Sequence, residues 1–234
     1  MKPARISIII PCLNEADYIV NTLKPLQSLR QRGHEIILVD AQSSDQSIEL
    51  ARPLVDLVIN SAPGRARQMN RGAQYASGDV LCFIHADTVC PQQLDQLISD
   101  TLCQSNKIWG RFDIQLSGTF WAFRVIEWMM NKRSCLTGVA TGDQGIFICR
   151  NIFHKISGFA DIELMEDIEI SKRLRKISQP VCISRGKLIT SSRRWEQRGI
   201  IRTVLLMWWL RLGYFFGLPV TTLANKYQNH AAEK

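Results

Sequence analysis

The first strand-like run of the chain, RISIII at residues 5–10, is followed by PCLNEA, a turn that holds no glycine. A dinucleotide fold of the G-x-G-x-x-G type needs small residues there so that the backbone can close on a pyrophosphate, and that reading is excluded. No G-x-x-x-x-G-K-[S/T] segment occurs either, which removes the phosphate-cradling loop of the NTPases. Cysteine lacks order: the seven residues at 12, 82, 90, 103, 135, 149 and 182 form no C-x-x-C pair. Cys82, Cys149 and Cys182 lie inside apolar runs, where cysteine behaves as a small hydrophobe. An odd, scattered set does not suit a disulfide framework, so a reduced, cytosolic protein is expected. ISIIIPCLNE has too short an apolar core for a secretion signal. No period of about 20 to 50 residues recurs, which excludes a solenoid.

Acid is almost missing from one stretch. Residues 172–211 carry 11 Lys and Arg against a single acid, Glu196, whereas residues 1–171 carry 16 against 19. The net charge of +8 therefore sits in one segment. Such a segment attracts anions, whether nucleic acid, anionic lipid or a phosphorylated ligand. No recognised nucleic-acid motif accompanies it, so no nucleic-acid partner is expected.

What the chain does have is alternation. Strand patterns at RISIII, EIILVD (35–40), DLVIN (56–60) and DVLCFI (79–84) are separated by helical patterns at 14–29, 43–51 and 64–76, and another helix follows from near Pro91 to Leu102. Pro25 is expected to bend the first helix, Ser43, Ser44 and Asp45 to cap the second, and Gly78 to end the third as a left-handed residue. Such alternation predicts βαβ units and a mostly parallel sheet, with ligands beyond the carboxyl ends of its strands. Pro11 to Glu15, Asp40 and the pair His85/Asp87 all fall at such ends. Side chains at i and i+2 of a strand share a side, so His85 and Asp87 can converge on a metal ion, a sugar hydroxyl or a backbone amide. The second half is less regular, with helical patterns at 121–132 and 166–177 and strand patterns at 145–149 and 179–184.

The order of SIIIPCLNE (7–15), ILVDAQSSDQS (37–47), HAD (85–87) and MEDIEI (165–170) resembles family 2 glycosyltransferases of the GT-A fold, over roughly residues 5–195. More narrowly, FIHADT, TGDQGIF and SSRRWEQRG are similar to a small bacterial subgroup labelled rSAM/selenodomain-associated transferase 2. The resemblance implies an α/β, Rossmann-like nucleotide-diphospho-sugar transferase domain over 1–198. Its central sheet is mostly parallel, with helices on both faces, and an apolar and basic C-terminal segment follows at 199–234.

Roles follow from the resemblance residue by residue. Asp40 would accept from the base of the nucleotide, although an aspartate there also serves as a turn cap for the helix near Ser43. Pro11, Asn14 and Glu15 would line the nucleoside pocket, and Arg65 and Arg71 could approach the diphosphate, one of them as a plain surface charge. Asp87 would hold Mn²⁺ or Mg²⁺ against the donor diphosphate, since hard cations take carboxylate and phosphate oxygens. His85 stands where the family usually has aspartate. It would bond the ribose or ligate the metal. Glu166 and Asp167 match the acidic pair whose aspartate takes the acceptor proton, although acids at a helix start also suit the helix dipole. Asp143 would shape the acceptor side, or simply a turn. Arg194-Trp195 would lie under the diphosphate or a sugar, or the indole would be core.

Ile200 to Leu218 is apolar and aromatic but is interrupted by Arg202, Arg211 and Gly213. A spanning helix wants about 20 apolar residues, and arginines nine positions apart lie about 180° apart around a helix. The segment is expected to pack on the domain and to rest in the membrane interface, or else to be buried or a dimer contact. The expected activity is that of an inverting, metal-dependent, hexosyltransferase-like glycosyltransferase. It would use a UDP- or GDP-linked sugar and a lipid or glycan acceptor, in the cytoplasm at the inner face of the cell membrane. The alternative is a catalytically silent sugar-nucleotide-binding protein, of which His85 would be the signature.

Overall fold

Isoleucine, leucine and valine fill the early strand patterns, and each becomes a strand: β1 (Ile6–Cys12), β2 (Glu35–Asp40), β3 (Leu57–Asn60) and β4 (Val80–Phe83). They pair in parallel in the order β3-β2-β1-β4. The computed structural model describes residues 4–232. Alternation along β1 sorts its side chains into two layers, as a period of two requires. Ile6, Ile8 and Ile10 join Ile19, Leu23 and Leu26 of helix α1 (Ala16–Gln31), while Ile9 joins Ala66, Met69 and Ala73 of α3 (Arg65–Tyr75) on the opposite face. Each fully buried Ile or Leu contributes about 1.5–3 kcal/mol, so these two layers hold the first half together.

The rest of the sheet is mixed. β5 (Thr88–Val89), β6 (Trp109–Leu116), β7 (Ile146–Cys149) and β8 (Val181–Thr190) complete the order β3-β2-β1-β4-β7-β6-β8-β5. β7 runs antiparallel to both β4 and β6, β6 and β8 are parallel, and β5 closes the edge antiparallel to β8. The remaining helices are α2 (Ser47–Ala51), α4 (Leu94–Ser105), α5 (Trp121–Thr137), α6 (Arg150–Lys155), α7 (Glu166–Arg175), α8 (Arg193–Arg198), α9 (Ile200–Phe215) and α10 (Val220–Ala232). All seven cysteines are free thiols.

Pro25 sits inside α1. Three local expectations change. α2 starts at Ser47, because Ser43 and Ser44 are engaged elsewhere. Gly78 is not left-handed. It lets the chain pass close to β1, where an added Cβ would lie 2.6 Å from Ser7 Oγ and 2.7 Å from Ser7 N. β4 ends at Phe83, so His85 and Asp87 stand on a turn and the shared-side argument does not apply to them.

One side of α9 (Leu206, Leu210) packs with Met165 and Ile168 beside the start of α7 and with Leu223 of α10. Its other side is exposed. Among the described residues no helix is long and apolar enough to cross a membrane.

Candidate active site

The ends of β1 and β2 are knotted together by short polar side chains. Asn14 adopts φ 54°, a left-handed conformation that asparagine tolerates better than most residues. Its N–H donates to Ser43 Oγ at 3.0 Å, and its Oδ1 accepts from Ser44 N at 2.8 Å. Ser47 Oγ and Asp45 Oδ2 accept from the N–H groups of Glu15 (2.7 Å) and Ala16 (3.1 Å), at the start of α1. Asp40 is buried and accepts from Gln42 N at 3.0 Å and from Ser43 Oγ at 2.6 Å, the turn-capping arrangement. Beside it opens a cavity of about 320 Å³, lined by Asp40, Gln42, Asn60, Ser61 and Ala62. Pro11 lies opposite Val39 at the rim. Gln68 of α3, which the sequence patterns did not single out, reaches under this rim and donates to Cys12 O (2.9 Å) and Val39 O (2.8 Å).

A cation joins this rim to the turn after β4. Arg193 Nη2 donates to Glu15 Oε1 and Oε2 at 2.9 and 3.1 Å, its guanidinium lies 4.6 Å from the Tyr18 ring centroid, and Asp87 Oδ2 is 3.9 Å away. Arg193, not its neighbour Arg194, therefore meets Asp87. Arg194 stacks on Tyr227 of α10 at 4.9 Å. Burial raises the Asp87 pKa, and Arg193, Arg194 and Arg65 oppose that rise. Arg65 Nη1 stands 3.5 Å from Glu166 Oε1, linking the β4 side to α7. Arg71 turns outward to Gln74 and Tyr75 and is the surface charge of the two.

His85 Nε2 is buried and meets no hydrogen-bond partner among the described residues. Burial first, then Arg65 and Arg194, hold the imidazole well below its ordinary pKa, so it is neutral. Gly142 packs so tightly on the ring that an added Cβ would sit 2.7 Å from Nε2. Among the described residues no group of three or more His, Cys, Asp or Glu could hold a metal ion. Asp87 offers one carboxylate, which fits a divalent cation completed by substrate phosphates and water and does not fit a metal held by protein alone, whereas the His85 nitrogen faces Gly142.

The 3-10 turn Gly142–Gln144 closes the opposite wall, held by reciprocal side-chain bonds between Thr141 and Gln144. Its Gly142 N–H donates to Asp167 Oδ2 at 2.9 Å, and Ile168 N–H donates to Oδ1 at 2.7 Å. Burial is the largest influence on both Glu166 and Asp167 and raises both pKa values. Asp167 adds to the rise of Glu166, and Asp143 to that of Asp167. Asp143 Oδ1 is buried without a partner among the described residues. The sheet thus brings Asn14, Glu15, Asp87, Arg65, Glu166 and Asp167 around one rim.

A model of glycosyl transferase family 2 matches residues 7–160. The chain belongs to glycosyl transferase family 2. Among curated proteins, the poly-beta-1,6-N-acetyl-D-glucosamine synthase of Staphylococcus aureus (strain MSSA476) is 27% identical over 191 residues, which cover 72% of this chain and 45% of that one. The amylovoran biosynthesis glycosyltransferase AmsB of Erwinia amylovora is 29% identical over 100 residues, covering 37% of this chain and 32% of its own. The chain thus spans less than half the length of these relatives. Among solved structures, S. aureus TarS 1–349 in complex with UDP-GlcNAc aligns with a TM-score of 0.64 at 16% identity, over 80% of this chain and 58% of that one. The mannosyltransferase PcManGT of Pyrobaculum calidifontis, in complex with GDP-Man and Mn2+, aligns with a TM-score of 0.62 at 16% identity, over 82% and 57%. These structures carry the fold, which is GT-A. The sequence match reaches the family and no subgroup within it.

Within this family 2 domain, Trp195 packs with Leu116, Phe123 and Ile126 at the edge of α5. It also lines a surface groove of about 980 Å³ with Phe120, Trp121, Ile200 and Ile201. Sequence reasoning gave no role to Arg193, one position before the motif pair.

Proposed function

We propose that this chain transfers a sugar from a nucleotide-diphosphate donor, with inversion at the anomeric carbon, to an acceptor at the cytoplasmic face of a membrane. The observation that carries the proposal is the bridge of Arg193 between Glu15 and Asp87. It ties the start of α1 to the turn after β4, with Arg65 leading on to Glu166. The nucleoside would enter the cavity beside Asp40, lined by Gln42, Asn60, Ser61 and Ala62. Its diphosphate would face Arg65, Arg193 and Arg194, whose guanidiniums pair with phosphate oxygens. Solved relatives in complex with UDP-GlcNAc and with GDP-Man support a uridine or guanosine donor.

The reaction is a direct displacement. The acceptor oxygen forms a bond to the anomeric carbon, the bond from that carbon to the diphosphate oxygen breaks with its electron pair leaving on the diphosphate, and the hydroxyl proton passes to Asp167. Each Asp167 oxygen accepts one backbone N–H and keeps a second lone pair, and burial makes the carboxylate more basic than usual. Gly142 fixes its aim. Mn²⁺ or Mg²⁺ held by Asp87 would neutralise the departing diphosphate. The exposed aromatic side of α9 supports peripheral contact with a membrane surface.

A second reading, a silent sugar-nucleotide binder, draws on the neutral, orphaned His85 at the position where the family usually has aspartate. One experiment separates the two: calorimetry with UDP and GDP, each with Mn²⁺, followed by a hydrolysis screen over the matching nucleotide sugars. Binding with turnover is expected. Binding without turnover favours the silent binder, and no heat with either nucleotide on folded protein removes both readings.

A further inference from the structure

Arg193 and Arg194 are adjacent at the start of α8, yet their guanidiniums go to opposite sides. Side chains one residue apart on a helix point about 100° apart, so the backbone allows this. Arg193 turns to α1, where it bonds Glu15 and lies 4.6 Å from the ring centroid of Tyr18. Arg194 turns to α10 and lies 4.9 Å from the ring centroid of Tyr227. The two rings thus come from the first and the last helix of the described chain. Both rings are anchored. Tyr18 is half-buried beside the fully buried Ile19. Tyr227 stands one helical turn beyond the buried Leu223 and packs with it on Met165 and Ile168, at the start of α7.

What a ring does for a guanidinium differs from what a carboxylate does. Arg67 and Arg173 engage Asp161 and Glu169 through their N–H groups, which occupies those donors and cancels the charge. Among the described residues Arg194 forms no ion pair. A tyrosine face attracts the cation by its quadrupole and leaves the N–H fork and the charge available. It also restrains a side chain that carries about 2 kcal/mol of rotamer entropy, which a ligand would otherwise have to offset. The position is the rim already described, because Arg193 Nη2 is 3.9 Å from Asp87 Oδ2 and Arg194 follows directly in the chain. The charge of Arg194 acts on the same turn, where it lowers the pKa values of Asp87 and His85. Arg193, Arg194 and Tyr227 all lie beyond the 7–160 segment that matches the family.

We propose that Tyr18 and Tyr227 are positioning residues of the donor site: each ring holds one of the two adjacent guanidiniums, so that the pair grips two linked phosphate groups and discriminates against one. The inference rests on the reading of this rim as the diphosphate site.

The test is calorimetry on the whole chain with UDP and UMP, or GDP and GMP if guanosine is the base bound, each with Mn²⁺. The unmodified chain should prefer the diphosphate by about tenfold or more, the size of one charge-assisted contact. Tyr227→Leu should weaken diphosphate binding by about two- to fivefold, the size of an exposed cation–π contact, and leave monophosphate binding unchanged. Tyr227→Phe keeps the ring and should keep the affinity. In an Arg194→Gln background Tyr227→Leu should have no further effect, since the tyrosine acts through that arginine. If Tyr227→Leu does not fold, Tyr18→Leu with Arg193→Gln is the equivalent pair. Unchanged diphosphate affinity in a folded Tyr227→Leu overturns the proposal. So does an equal loss for both nucleotides, which marks a merely structural role, or a loss that persists when Arg194 is replaced. The donor reading fails differently: the unmodified chain then binds no nucleotide, and the proposal falls with it.

Discussion

Along β3-β2-β1-β4 every pairing is parallel, the strand interiors are almost wholly apolar, and polar side chains gather where the strands end. From β4 across to β5, three of the four pairings are antiparallel, and charge lies inside the fold: Arg111 of β6 is buried, bonded to Asp113 and to Asn131 O. The first half is a stiff floor, held by packing on both faces. The second shares both apolar layers through Phe112, Phe147, Trp109 and Ile148, and adds small clusters beside α5 and α9 and buried polar bonds such as Glu127 accepting from Leu116 N. In the proposed function the nucleotide lies at the ends of the stiff half, and the acceptor beside the Glu166–Asp167 start of α7.

That contrast can be broken by truncation. Ile9→Ala, in the layer shared by β1 and α3, should cost about 2–5 kcal/mol in chemical denaturation. Leu206→Ala, in the small cluster under α9, should fall at or below the lower end of that range. Equal costs would erase the distinction. A smaller effect is expected at the rim. Asp40→Ala removes the acceptor for Gln42 and Ser43, and should weaken nucleotide binding by about 1–3 kcal/mol in calorimetry and lower the melting transition as well, since buried donors lose their partner. Arg193→Gln cuts the half-exposed tie between the two sides and should weaken nucleotide diphosphate binding by about 1 kcal/mol, more at low salt than at high, because exposed pairs are screened.

The smallest effect is a shift on the pH axis. A base works only when ionised, and burial raises the Asp167 pKa, so the rate should fall on acidification at a pH above the ordinary carboxylate range. Asp143 adds to that rise, so Asp143→Asn should move the acid limb of the rate profile downward. An unmoved limb would mean that the two carboxylates do not interact.

The parallel half was legible because its strands are short apolar runs punctuated by polar turns. β6 was not, because Arg111 and Asp113 interrupt WGRFDIQL with charges that neutralise each other inside the fold. Asn14, Glu15, Asp40, Asp87 and Asp167 stand out as polar groups at element ends, and they do gather at the rim. Arg193 stood out only as one of a basic cluster, since its role comes from a partner 178 residues away that only folding brings near. Gly142 looked like a turn residue. Its reason is the His85 ring against which it packs.

The central claim is tested most directly by one paired measurement: sugar transfer and nucleotide affinity on Asp167→Asn beside Asp87→Asn. In the proposed function the base acts on the acceptor and Asp87 on the donor. Asp167→Asn should therefore lower turnover by about 10²-fold or more, the usual size of proton-transfer catalysis, with nucleotide affinity retained. Asp87→Asn should lose metal-dependent nucleotide affinity together with rate. Near-normal transfer by Asp167→Asn would contradict the account and pass the role of base to Glu166 or Asp143.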